Sequence, residues 1–187
     1  MSHKQEIEVK VEVGLGKFNE ILAKLGGDGN AVTVHHTDIY FSPADRDFLA
    51  EEFPFEWLSI RERGSDIRLS YKHFHPEGAE RHTYCDEFEV GIDNAEAGRG
   101  MLLALGYEEV ASVIKTRRSF EWLDKYEVAL DVVEGLGYFI EIEVIHQTGT
   151  PSDERRQFAA VLESLGLDEA PVNLRGYPFM IHAMHKS

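Results

Sequence analysis

The chain has 187 residues, with 19 Lys and Arg against 34 Asp and Glu and a formal net charge of −15. That length suits one compact domain over residues 1–187, burying roughly 70% of the surface its unfolded form exposes, and the charge repels nucleic acid and anionic lipid at long range. With 43% hydrophobic and 28% charged residues, the composition lies outside the disordered, collagen-like and transmembrane classes.

No apolar run approaches the roughly 18 residues that span a bilayer. The opening Met1-Ser2-His3-Lys4-Gln5-Glu6 has no apolar signal-peptide core, so a cytoplasmic location with neither membrane nor nucleic-acid partners is expected. The single cysteine, Cys85, excludes an intramolecular disulfide and a multi-cysteine zinc site, and reads as a packed thiol.

Along the chain, Glu6-Ile7-Glu8-Val9-Lys10-Val11-Glu12-Val13 alternates charge with apolar residues, the period-2 signature of a strand. Residues 18–25 follow with helical spacing and end on a glycine. Strand-like runs cover residues 32–41, 57–63, 67–74 and 81–92. A second helix is expected over 95–105, then strands over 111–122, 126–133 and 138–146, and a third helix over 152–165. In the tail from 172 to 187, Pro178 is expected to interrupt any helix. Short connections such as Gly64-Ser65 suit antiparallel hairpins, so these eight strands read as a meander, α+β in class, with the helices on an apolar outer face.

One parity along the strands collects Glu6, Glu8, Lys10 and Glu12, then Asp38 and Tyr40, Arg61 and Arg63, Arg68 and Lys72. The later strands add Arg81, Glu87, Glu89, Lys115, Arg117, Asp131, Glu141 and Glu143. The other parity holds Ile7, Val9, Val11, Ile39, Phe41, Leu69, Tyr71, Phe88, Val90, Ile114, Ile140 and Ile142. The ionic face carries nine acids and eight bases out of the chain's 34 and 19, so it is nearly neutral on an otherwise acidic protein.

Two arrangements accommodate such a face. It can line bulk water on an open sheet, or eight strands can close into a barrel. Dry burial of so many ions is untenable, since each costs several kcal/mol against a net stability of about 5–15 kcal/mol. A closed barrel is therefore a wet, ligand-binding tunnel. Carboxylates hold a hard divalent cation, and Arg and Lys hold phosphate oxygens, so the implied cargo is a metal-bound polyphosphate.

Glu6-Ile7-Glu8-Val9-Lys10 is an E-x-E-x-K pattern, and with it the sequence resembles the CYTH family of triphosphate tunnel metalloenzymes. His36-Thr37-Asp38-Ile39-Tyr40-Phe41 is similar to the family's second strand, Arg61-Glu62-Arg63 to its R-x-R strand, and Leu69-Ser70-Tyr71-Lys72 to its phosphate-binding lysine strand. Asp86-Glu87-Phe88-Glu89-Val90, Lys115-Thr116-Arg117-Arg118, the segment 130–137 and Phe139-Ile140-Glu141-Ile142-Glu143 follow in order. The resemblance covers roughly residues 4–146. It implies an eight-stranded antiparallel β-tunnel with helices packed outside, Mg²⁺ or Mn²⁺ as cofactor, and a nucleoside triphosphate or other triphosphate as ligand.

By the same resemblance, Glu6, Glu8, Asp131, Glu141 and Glu143 form the acidic metal cluster. Lys10, Arg61, Arg63, Lys72, Lys115 and Arg117 bind phosphate, with Lys10, Glu8 and Arg117 at the catalytic centre. Ser42-Pro43-Ala44-Asp45-Arg46-Asp47-Phe48 is similar to a segment of the class IV adenylyl cyclase branch. Cyclic AMP synthesis is the leading expectation, with an inorganic or thiamine triphosphatase and a noncatalytic polyphosphate sensor as alternatives. Oligomeric state, a homodimer included, stays open. Cys85 departs from the family pattern, where many relatives carry a basic or polar residue, with Arg81 as a substitute charge.

Other signals are discounted. Gly14-Leu15-Gly16-Lys17 lacks Walker spacing and reads as a turn. His35-His36, and His182 with His185, have no zinc partners and read as surface groups, His36 at most at the tunnel mouth. Arg155-Arg156 reads as a surface patch.

Overall fold

The alternating N-terminal segment forms two strands, β1 (Ser2–Glu6) and β2 (Glu8–Val13), because the chain changes partner at Ile7. β1 pairs with β6 (Tyr84–Gly91) and β2 with β9 (Gly137–Val144). Between them lie β3 (Val32–Pro43), β4 (Glu56–Arg63), β5 (Asp66–His75), β7 (Tyr107–Trp122) and β8 (Tyr126–Val133). The computed structural model, which describes residues 2–27, 29 and 31–186, arranges them in the order β1-β6-β5-β4-β3-β7-β8-β9-β2. Since β1 and β2 are consecutive, the two ends of this order meet at Ile7, whose carbonyl accepts from Val144 N at 3.0 Å. The result is a nearly closed antiparallel barrel of nine strands.

The eight expected strands thus become nine through that one break. Two meanders, β3–β6 and β7–β9, are joined side by side along β3 and β7. The strand expected from residue 81 begins only at Tyr84, which leaves Arg81 exposed in the preceding loop.

Helix α1 (Leu15–Lys24) starts directly after Gly14, so the Gly-Leu-Gly-Lys stretch is a helix start. α2 (Ala95–Ala104) is capped by Asn94, whose side chain accepts from Ala97 N at 2.8 Å. α3 (Pro151–Leu165) opens on a reciprocal Thr150–Asp153 capping box and ends at Gly166, at φ 76°. The tail corrects the sequence reading, because Tyr177–Lys186 is a helix, α4. Pro178 occupies its first turn, where no intrahelical N–H is required.

Outside the barrel, α1 and α3 bury Phe18, Ile21, Phe158, Val161 and Leu165 against Val9, Val11, Leu130, Ile140 and Ile142. α2 sets Leu102 on Phe41 and Ile60. Gly98 permits that approach, since a Cβ there would lie 2.9 Å from Ile92 Cδ1 and 3.2 Å from Ile60 Cδ1. α4 differs: Tyr177 and Ile181 pack on Ala111, Val113, Val133 and Phe139, inward-facing positions of β7, β8 and β9, so it stops part of one barrel end. No helix among the described residues is long and apolar enough to cross a membrane.

Candidate functional site

The barrel encloses a cavity of about 510 Å³, and strand parity delivers ionic side chains to it. All six expected phosphate ligands, Lys10, Arg61, Arg63, Lys72, Lys115 and Arg117, line it, as do Glu6, Glu8, Glu141 and Glu143. Glu12, Arg68 and Arg81, which share the ionic parity, do not. Glu12 and Arg81 are exposed, and Arg68 turns to Asp66 at 2.9 Å.

The charges form two walls. On the wall of β2, β9, β8 and β7, Lys10 Nζ contacts Glu141 Oε2 at 2.9 Å, and Arg117 NH1 contacts Glu141 Oε1 at 2.9 Å. Arg117 also donates through Nε and NH2 to both oxygens of Asp131, each at 2.7 Å. Lys115 Nζ and the Tyr177 hydroxyl donate to Asp131 Oδ2 at 3.1 and 2.9 Å. Asp131 is 0% exposed and does not line the cavity; it stands behind the wall and holds Arg117, Lys115 and the plug helix together.

On the wall of β1, β6, β5, β4 and β3, Lys72 Nζ bonds Glu6 and lies 3.4 Å from Glu87. Arg61 NH1 reaches Glu87 and Glu89 at 3.3 and 3.2 Å. Its Nε, 3.7 Å from Asp38, makes no hydrogen bond, and neither does Arg63 Nε, although both atoms are buried.

Burial opposes the charge on Lys10, Lys72 and Arg117, yet facing carboxylates hold all three above their ordinary pKa. Burial raises the cost of ionising Asp131 and Glu141, yet Arg117 keeps both well below the carboxylate range. Lys115 is different: burial and then Arg117 outweigh Asp131 and push it down to about 8.

Several lining residues were not assigned to the site from sequence. His36, 4% exposed, is pushed down to about 3 by burial and by Lys115, Arg63, Arg117 and Arg61, so it is a neutral lumen group. Arg155 corrects the surface-patch reading: it lines the cavity and donates to the Glu8 carbonyl at 2.7 Å, which ties α3 to the start of β2. Arg156 is exposed and pairs with Asp153. Tyr177 places its ring 4.4 Å from Lys10 Nζ and 5.2 Å from Lys115 Nζ. No motif marked Arg155 or Tyr177, since each comes from a helix packed on the barrel. Cys85 is buried beside Glu6 in the β1–β6 register, and burial pushes its thiol up, so it carries no thiolate.

The histidine has a measurable consequence. Because the folded pKa of His36 lies below its ordinary 6.5, the unfolded chain binds more protons between about pH 3 and 6.5, and stability falls as pH drops through that window. The slope from His36 is about 1.4 kcal/mol per pH unit. Urea unfolding of His36→Gln between pH 4.5 and 6.5 is expected to show a shallower decline than the parent, and identical slopes would contradict the buried neutral imidazole.

Among the described residues, no three His, Cys, Asp or Glu side chains converge to hold a metal ion on their own. The donor chemistry nevertheless fits a hard cation. Glu8 and Glu143 are register partners across β2 and β9, and Glu6 and Glu141 line the same cavity. Mg²⁺ is commonly held by one or two carboxylates together with phosphate oxygens of the substrate, without an all-protein cage.

Comparison with known proteins adds three findings. The family profile of the CYTH domain matches residues 4–177. A Methanocaldococcus jannaschii protein provisionally named an adenylate cyclase is 34% identical over 139 residues, 74% of this chain and 75% of that protein; adenylate cyclase CyaB of Aeromonas hydrophila is 33% identical over 47% of this chain and 46% of its own. Among solved structures, the PH1819 protein of Pyrococcus horikoshii OT3 has a TM-score of 0.76 at 26% identity, covering 97% of this chain and 99% of its own.

Proposed function

Because the chain belongs to the CYTH family, whose members act on triphosphate substrates and depend on metal, we propose that it is a metal-dependent adenylyl cyclase that converts ATP to cyclic AMP and pyrophosphate. The observation that carries the triphosphate reading is the convergence of Lys10, Arg61, Arg63, Lys72, Lys115 and Arg117, with Arg155 and Arg175 beside them, on one cavity. The cyclase reading draws on the adenylate cyclase names of the two relatives.

In this reading Arg61, Arg63 and Lys72 hold the triphosphate from one wall, and Lys10, Lys115 and Arg117 hold it from the other. Glu8 and Glu143, with Glu6 and Glu141 beside them, would hold Mg²⁺ or Mn²⁺, which when bound polarises phosphoryl oxygens. The ribose 3′-oxygen attacks the α-phosphorus and pyrophosphate leaves, while the fixed cations neutralise the charge that develops on it. No covalent nucleophile is needed. Lys10 is held protonated and serves as a charge, and the hydroxyl proton passes to water in the lumen. Asp131 orients Arg117 and Lys115 from behind.

The ionic walls recognise the triphosphate whatever is attached to it, which favours a triphosphatase as the second reading. Phosphorus NMR after incubation with ATP, inorganic triphosphate or thiamine triphosphate, each with Mg²⁺ or Mn²⁺ and with a metal-free control, decides between them. Cyclic AMP with pyrophosphate is the expected result. Orthophosphate alone would replace it with a triphosphatase, and binding without turnover would leave a polyphosphate sensor. Glu6→Gln and Glu141→Gln are each expected to impair metal-dependent turnover in a folded protein, and full activity in either would remove that residue from the metal-holding set.

A further inference from the structure

Strand β5 alternates between two environments. Lys72 and Phe74 line the cavity, so His73 and His75 face outward on the opposite parity. His73 is the register partner of Asp86 on β6, and Glu77 follows in the loop after β5. His75 Nε2 lies 3.0 Å from Asp86 Oδ2, and His73 Nε2 lies 2.9 Å from Glu77 Oε1. Side chains two apart on a strand start about 7 Å apart, yet the two imidazole centroids have come to 4.5 Å. Tyr84 stacks on His75 at 4.9 Å, and Phe55 lies 5.9 Å from His73, so each imidazole has an aromatic ring to hold its orientation. The histidine side chains are 26% and 28% exposed, within reach of a solute on the outside of the barrel.

These spacings are close to those of ligands sharing one ion. Donors at about 2.0–2.2 Å from a metal centre are about 3.0–3.5 Å from each other, and two imidazoles on it have centroids about 4.5–5 Å apart. An ordinary hydrogen bond accounts for the His75 pair but not for His73, whose Nε2 is buried and makes no aligned hydrogen bond despite the nearness of Glu77. Imidazole nitrogen favours zinc and neighbouring transition metals, whereas Mg²⁺ takes oxygen ligands, so this cluster selects a different ion from the lumen carboxylates. From the His73–Glu77 and His75–Asp86 pairs standing side by side, we propose a second metal site on the outer face of the barrel, taking Zn²⁺ or a similar ion on His73, His75, Asp86 and Glu77. As they stand, no three of these donors surround one point; Glu77, 58% exposed, swings in from its loop as the ion binds. The ion clamps β5 to β6 behind the register pair Lys72 and Glu87, and binding adds stability to the folded chain by mass action. The site does not depend on the triphosphate reading.

Calorimetric titration of the full chain with Zn²⁺, in excess Mg²⁺ to occupy oxygen sites in the lumen, tests it with the parent, His73→Ala, His75→Ala and Glu77→Gln. The parent is expected to take up one Zn²⁺ that each histidine variant binds at least about tenfold more weakly, with a smaller loss in Glu77→Gln. Long-range proton–nitrogen NMR of the histidine rings, assigned with the same variants, is expected to show Zn²⁺ shifting Nε2 of His73 and His75 together. No Zn²⁺ uptake by the parent, equal affinity in parent and histidine variants, or shifts confined to other histidines would overturn the outer site and leave the triphosphate reading untouched. Thermal unfolding without Zn²⁺ checks that the variants fold. If a histidine variant does not, Glu77→Gln and the ring spectra of the parent decide the question.

Discussion

Asp131→Ala is expected to lower the unfolding free energy by about 3–5 kcal/mol, the loss typical of removing one partner from a buried ion pair. The carboxylate is 0% exposed and accepts from Arg117, Lys115 and Tyr177. Without it, Arg117 and Lys115 lie side by side in the wall with Glu141 and, for Lys115, Asp38 as remaining anions, and Tyr177 loses the acceptor that seats the plug helix. Asp131→Asn keeps polar atoms there and falls between the two.

The sign of the pH dependence follows from the depressed carboxyl. Its contribution is fully present above the unfolded value of 3.8 and is lost as pH falls through the lower folded value. The deficit of Asp131→Ala is therefore expected to be constant near neutral pH and to shrink below about pH 4. Urea unfolding at several pH values reads both effects, and a loss under 1 kcal/mol at pH 7 would mean that the pair adds nothing net to the fold. Saturating inorganic triphosphate is expected to restore part of the stability, since ligand binding to the native state adds stability by mass action.

Arg61→Ala is expected to reduce kcat/KM for the triphosphate substrate by about 100–1,000-fold, the range seen when one fixed donor to a developing oxyanion is removed. The guanidinium spans Asp38, Glu87 and Glu89, at 3.7, 3.3 and 3.2 Å. Its removal takes away a phosphate donor and leaves three carboxylates without this cation, so the wall changes sign where the substrate must lie. Arg61→Lys, a point charge without the planar fork, recovers part of the loss. Arg68→Ala is the control: Arg68 shares the parity of Arg61's wall but turns to Asp66 outside the cavity, so a change below twofold is expected. Thermal unfolding of the same variants separates lost catalysis from lost structure. Arg61→Ala within fivefold of the parent would remove Arg61 from the phosphate set.

Strand parity reported much of the lumen correctly because the side-chain period of a strand is 2 wherever pairing is regular. It erred at ends and edges. Glu12, Arg68 and Arg81 share the inward parity, but the cavity does not extend to them. Asp131 shares it too and faces Arg117 in the register, yet Tyr177 and Lys115 cover it. Arg155 and Tyr177 were illegible because helix α3 and helix α4 reach the cavity from other layers, and no local period records which helix face meets which barrel end. His36 looked like one of a pair of surface histidines until β3 was set between β4 and β7, which surrounds it with cations.

The sequence alone determined what is periodic or compositional: nearly every strand, three helices, the separation of ionic and apolar faces, and the set of cations gathered on the first of these. These follow from local stereochemistry and the cost of burying charge, which act residue by residue. Only the tertiary structure decided how that face closes, through the change of partner at Ile7, and how Pro178 begins a helix that stops one end. It also decided which ions look into the cavity and which stand behind it. Those outcomes depend on contacts between residues far apart in the chain, such as Arg155 with Glu8 and Tyr177 with Asp131, and a one-dimensional pattern carries no term for them.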